Sequence, residues 1–166
     1  MRGFESGERR HGSVKVRRFT FEDGVVNFEL RLEGDAKFAG AIFNGSQERG
    51  HIFHIVMARD RIRLIAHPKK GETVQLLNEP HELEAGKWHA ARLVLKGEVA
   101  IATIDGMKTV QASHPCIAEE KLTFGLGGDS GGPEGEKAGA LEFRGLKVSA
   151  VHFSHLPCQS TSSLKR

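Results

Sequence analysis

The stretch AGKWHAARLVLKGEVAIATIDG, Ala85 to Gly106, decides the fold class. It holds Trp88, the single tryptophan of the chain. The run Ala91-Arg92-Leu93-Val94-Leu95 breaks at Lys96-Gly97 and resumes as Val99-Ala100-Ile101-Ala102-Thr103-Ile104. Two short β-prone runs around a Gly-containing break read as a hairpin. Asp105-Gly106 marks the next turn, since Gly tolerates positive φ and Asp bonds its own backbone.

The same period appears on either side. Val26, Phe28, Leu30 and Leu32 alternate with Asn27, Glu29 and Arg31. That is the two-residue period of a half-buried strand. Phe38 to Phe43, His51 to Met57, Arg59 to Ala66, Val74 to Leu77, Thr109 to Ala112, Leu122 to Leu126 and Leu141 to Val148 complete the series. Turn signals separate them: Gly34-Asp35, Asn44-Gly45-Ser46 and His67-Pro68-Lys69-Lys70-Gly71. Gly127 to Gly139 reads as a long Gly-rich loop, and the one helical turn falls near Ala118 to Lys121. Strands at short, regular spacing predict an all-β fold, a two-sheet antiparallel sandwich or jelly roll. Residues 1 to 13 read as a flexible N-terminal arm, 14 to 158 as a single β-sandwich domain, and 159 to 166 as a tail. The expected core includes Phe28, Leu30, Trp88, Leu93, Ile104 and Phe143.

Composition narrows the function classes. Charged residues make up 27% and hydrophobic residues 39% of the 166, a globular composition. Twenty Gly against 5 Pro suits many tight turns. The net charge of +3 is small, and bases are interleaved with acids, so nucleic acid is not the expected partner. No apolar run approaches the roughly 20 residues that span a bilayer. Met1-Arg2-Gly3-Phe4-Glu5 leads into charge and not into the apolar segment of a signal peptide. Cys116 and Cys158 show no C-x-x-C spacing, so no thiolate zinc site is expected. A disulfide between them and two free thiols both remain open.

One motif points elsewhere. Gly128-Asp129-Ser130-Gly131-Gly132-Pro133 matches the hexapeptide around the nucleophile of trypsin-like serine proteases. His67, Asp105 and Ser130 even repeat that family's order. A triad is a geometry, however, built there on two β-barrels. Too few residues separate His67 from Ser130 for such barrels, and no Cys adjoins the His. Ser130 is therefore expected to sit in a plain loop, without a His near its hydroxyl.

Polar positions opposite the apolar faces supply the candidate site. These are Glu29 and Arg31, Arg61 and Arg63, Arg92, and Glu142 with Arg144. Planar hydrogen-bonding groups of this kind suit sugars when an aromatic platform accompanies them. Glycoside hydrolysis needs two carboxylates at a fixed separation. Glu29 and Glu142 meet only if their strands neighbour each other, and simple ion pairing with the adjacent Arg residues is the competing role. His51 and His54 fall on opposite faces of an alternating strand, and His51, His54, His67 and His89 share no spacing that builds a metal site. No metal and no cofactor are expected.

Several segments together resemble a family. In order they are Phe28-Glu29, Gly40-Ala41-Ile42-Phe43, Gly50-His51, Gly86-Lys87-Trp88-His89, Ile104-Asp105-Gly106 and Phe143-Arg144-Gly145-Leu146-Lys147-Val148. This order resembles the 3-keto-disaccharide hydrolases, within the concanavalin A-like lectin/glucanase jelly rolls. Laminin-G-like domains share the layout. The resemblance implies a concave sheet carrying a ligand groove, a carbohydrate ligand that is bound or hydrolysed, and a secreted or periplasmic setting. Its laminin-G side implies a protein partner and no catalysis. The chain departs from the hydrolase pattern at Asn44, where an Arg is usual, at His51-Ile52 in place of Tyr-Glu, and at His89 in place of Asn.

Overall fold

The structure is a computed structural model that describes residues 2–3, 15–131 and 139–151. The expected tail, Cys158, and Gly132-Pro133 of the protease-like hexapeptide lie outside these residues, as does the expected arm apart from Arg2–Gly3. The chain forms strands β1 (Arg2–Gly3), β2 (Lys15–Phe21), β3 (Gly24–Glu33), β4 (Phe38–Asn44), β5 (His51–Ala58) and β6 (Arg61–Ala66). There follow β7 (Val74–Pro80), β8 (His89–Lys96), β9 (Val99–Ile104), β10 (Lys108–Ser113), β11 (Lys121–Asp129) and β12 (Ala140–Ala150). The only helical element among the described residues is a 3-10 turn at Pro115–Ala118, slightly ahead of the expected turn. The expected loop from Gly127 to Gly139 begins later than read, because β11 runs through Asp129.

Two antiparallel sheets stack as a jelly-roll sandwich. The first runs β1-β12-β3-β8-β9-β10 and the second β2-β11-β4-β5-β6-β7. Local meanders, β4 to β7 and β8 to β10, form one end of each sheet. Strands from the two ends of the chain, β2 with β11 and β3 with β12, form the other. Two tight turns shape the quoted hairpins. Gly97 takes φ 53 in the two-residue turn between β8 and β9, a conformation Gly adopts without a Cβ penalty. Asp105 takes φ 53 between β9 and β10, a conformation Asp tolerates better than most residues, and its carboxylate accepts from Ala90 N–H across the sheet.

The core lies between the sheets and follows the alternation. In β3 the residues Val26, Phe28, Leu30 and Leu32 are buried, and in β8 and β9 Leu93, Leu95, Ala100, Ala102 and Ile104 are. Phe43 sits at the centre. It stacks on Phe53 at 4.4 Å between ring centroids and meets Phe124 at 5.1 Å, tilted. Phe28 and Phe143 pack at 6.2 Å on the first sheet. Trp88 is the exception among the expected core residues: it is only half-buried. It precedes β8 and turns its ring onto the outer face of the first sheet, over charged side chains.

Phe43→Ala removes a ring with no exposed surface and three aromatic neighbours. It is expected to cost about 3–5 kcal/mol in urea unfolding. A loss under about 1 kcal/mol would contradict its central position.

Candidate functional site

The pairing of β3 with β12 sets Arg31 opposite Glu142 and Glu29 opposite Arg144. Alternation points all four away from the core. Arg31 donates from Nε to Glu142 Oε2 at 2.8 Å and also pairs with Glu33 at 3.0 Å. Arg144 grips Glu29 with two bonds, at 2.7 and 3.0 Å. This grip holds the Glu29 carboxyl below its ordinary range. A bulge follows at Gly145, whose φ of 64 lets the strand shift register before Lys147 pairs with Asn27.

Both guanidiniums lie over Trp88. Arg144 Cζ is 4.1 Å from the ring centroid and Arg31 Cζ is 4.9 Å. The ring is delivered by a braced loop. Gly86 N–H donates to Leu32 O, and His89 Nε2 donates to the Glu84 carbonyl at 3.0 Å. His89 Nδ1 meets Asp105 Oδ2 at 2.7 Å, while Asp105 Oδ1 accepts from Ala90 N–H at 2.7 Å. His89 and Asp105 thus fix the entrance to β8, and Trp88 is the residue just before it. Ala90, between Glu29 and Asp105, leaves the surface low beside the ring. Arg92 stands one row further on the same face, donating to Asn27 Oδ1 at 3.2 Å.

Arg61 and Arg63 do not join this cluster. They project from β6, on the outer face of the opposite sheet, so no single groove holds all seven candidate residues. Arg61 pairs with the adjacent Asp60, lowering that carboxyl. Arg63 Nε is buried and has no hydrogen-bond partner among the described residues.

That opposite face carries a constellation the alternation hid. His51, His54 and His67 come together, with ring centroids 4.6 Å apart for His51–His54, 4.5 Å for His54–His67 and 5.7 Å for His51–His67. The expectation that His51 and His54 face apart fails because β5 shifts register there: Asn44 pairs with His51, but Phe43 with Phe53. Ile52 and Phe53 consequently both turn inward, and the flanking histidines land on one side. The signal was present in the sequence as two consecutive apolar residues between the histidines. Arg49 clamps the group, donating to the His51 and His67 carbonyls at 2.7 Å each and to Glu119 through Nε at 2.7 Å. Among the described residues no group of His, Cys, Asp and Glu is arranged to hold a metal ion.

A cross-strand row extends from this cluster over the same face. Register places Arg18 beside Thr123, Thr123 beside Asn44, and Asn44 beside His51. The first three line an open cleft of about 610 Å³, together with Thr20, Ser46 and Gln47.

The protease-like triad is not assembled. Asp105 is engaged by His89 on the first sheet. His67 sits beside Ile52, at the Asn44 end of β4, whereas Ser130 follows the Asp129–Phe38 pair at its other end. Seven strand residues, roughly 20 Å, separate those ends, and Ser130 is fully buried.

No protein-family model matches the sequence, and no curated protein matches it. Solved structures do. The carbohydrate binding module CBM66 from Bacillus subtilis superposes with a TM-score of 0.62 at 9% identity, covering 89% of this chain and 92% of that one. CG-16, a homodimeric agglutinin from chicken liver, gives 0.60 at 11% identity, over 82% and 100%. Congerin II liganded by lactose and MES gives 0.61 at 9%, also over 82% and 100%. The chain has the concanavalin A-like jelly-roll fold that these likenesses share.

The histidine cluster makes stability depend on pH. Burial, with smaller contributions from His67 and His51, pushes His54 down to about 3 from an ordinary 6.5. The fold keeps this imidazole neutral where the unfolded chain protonates it. Its contribution is complete above pH 6.5 and is lost as the pH falls toward about 3. Unfolding free energy is expected to decline from about pH 6.5 to 4 with a slope of up to about 1.4 kcal/mol per pH unit from this group. His54→Gln should flatten the decline; an unchanged slope would contradict the assignment.

Proposed function

We propose that this domain binds carbohydrate on the outer face of its first sheet, with Trp88 as the platform and Glu29, Arg31, Glu142 and Arg144 as the hydrogen-bonding surround. One observation carries the reading: the single tryptophan is left half-exposed, and two Arg–carboxylate pairs from β3 and β12 converge on its ring. A sugar offers C–H faces to an aromatic ring and hydroxyls that both donate and accept at its edge. Guanidiniums supply donors in a fixed plane, and carboxylates supply acceptors. Arg92 and Asn27 lengthen the surface along the strands for a further sugar unit. The solved structures of similar fold named above include a carbohydrate binding module and a lactose-liganded protein, which agrees with this ligand class.

Binding, and not hydrolysis, is the activity the chemistry favours. A glycoside hydrolase needs one carboxyl of its pair protonated near neutral pH. Glu29 is driven the other way by Arg144, and Glu142 is bonded to Arg31. The likeness to 3-keto-disaccharide hydrolases is carried into this proposal as a shared layout of strands around a ligand face, without their reaction.

A glycan array followed by calorimetric titration tests the reading. The unmutated protein is expected to bind an oligosaccharide, and Trp88→Ala to abolish that binding. Arg144→Ala should weaken it while shifting thermal stability little, since an exposed ion pair contributes only about 0–1 kcal/mol. Absence of binding to any oligosaccharide at millimolar concentration would overturn the proposal and favour a laminin-G-like role in protein interaction.

A further inference from the structure

We infer that the cross-strand row Arg18–Thr123–Asn44–His51, on the sheet face opposite Trp88, is a second binding site, built for a hydroxyl-rich ligand. The row spans β2, β11, β4 and the start of β5; Arg18, Thr123 and Asn44 line the open cleft of about 610 Å³, and His51 continues the row beside Asn44.

The hydrogen-bond pattern within the row fixes what it offers. His51 Nδ1 lies 2.6 Å from Asn44 Oδ1. An amide oxygen only accepts, so Nδ1 carries the proton. Partial desolvation lowers His51 from its ordinary value, so it is neutral at physiological pH. Its Nε2 is then an acceptor, on an exposed ring. Asn44 Nδ2 donates to Thr123 Oγ1 at 3.1 Å. Thr123 accepts there and its own O–H remains to donate outward. Arg18, exposed beside it, adds guanidinium donors. One end of the row therefore donates and the other accepts.

That mixture selects the ligand. A sulfate has acceptors only and would meet a lone pair at His51. A hydroxyl both donates and accepts, and adjacent hydroxyls of a sugar ring satisfy both ends together. Arg49 bonds both the His51 and His67 carbonyls, holding the accepting end in place without a ligand, which favours affinity by preorganisation. The inference shares its ligand class with the proposal for Trp88 but stands on different residues and a different sheet. With both sites occupied, one domain would present two sugar-binding faces on opposite sides of the sandwich.

Amide NMR titration reads the two faces separately. Lactose, sucrose and cellobiose serve as probes, with sodium sulfate as the anion control. A disaccharide is expected to shift the amides of Asn44, His51 and Thr123 in a saturable way. Thr123→Val, which keeps the strand shape and removes the hydroxyl, should weaken that response roughly fivefold or more and leave the response around Trp88 unchanged. An undiminished response in Thr123→Val, or a response of the row to sulfate alone, would overturn the inference. Shifts confined to the neighbours of Trp88 would overturn it while sustaining the first site. Shifts confined to the row would sustain it and remove the Trp88 site. No shift with any disaccharide would overturn both.

Discussion

The antiparallel pairing of β3 with β12 is the constraint on which the first sheet and its outer face depend. It joins residues more than a hundred positions apart, seating Leu30 and Phe143 in the core while Glu29, Arg31, Glu142 and Arg144 alternate outward. A slip of one residue would exchange the two sets, burying four charges and exposing the aromatic pair Phe28–Phe143. The apolar core thus specifies the register, and the register assembles the charged cluster. The cluster itself adds little stability, because exposed ion pairs are weak. Trp88 then depends on the same frame, since Gly86 hangs from the Leu32 carbonyl of β3.

The second sheet shows a different economy. Its local meander puts β4 to β7 together without long-range pairing, and a single register shift in β5 creates the histidine group. The shift turns two neighbouring residues, Ile52 and Phe53, inward; both are fully buried, and Phe53 stacks on Phe43. The group then needs Arg49, anchored on Glu119, to hold the His51 and His67 backbones. Neutral imidazoles are the chemical outcome, partly buried at His54 and His67, and the expected acid sensitivity of the fold follows from His54.

Much of this architecture was legible from residues alone. Period-two runs such as Val26 to Leu32 and Leu93 to Ile104 placed strands and core, because a half-buried sheet imposes that alternation. Lys96-Gly97 and Asp105-Gly106 placed turns through backbone conformation. Three features were not legible. Size and hydrophobicity make Trp88 a core candidate but do not say which side of a strand entrance its ring takes; the His89 contacts to Asp105 in the turn after β9 and to Glu84 in the loop before β8 decide that. Alternation puts Arg61, Arg63 and Glu29 alike on the outside, but it does not say which of two outer faces a strand contributes to. The histidine group is hidden from a period-two pattern because a register shift breaks that period between His51 and Phe53.

The proposed carbohydrate site has the half-buried Trp88 ring as its platform. Trp88 is the chain's only tryptophan, so intrinsic fluorescence reports on this ring alone. Titrating the protein with an oligosaccharide it binds, as detected by calorimetry, should shift and saturate the Trp88 emission with the same midpoint. Calorimetric binding with unchanged Trp88 emission would contradict the claim.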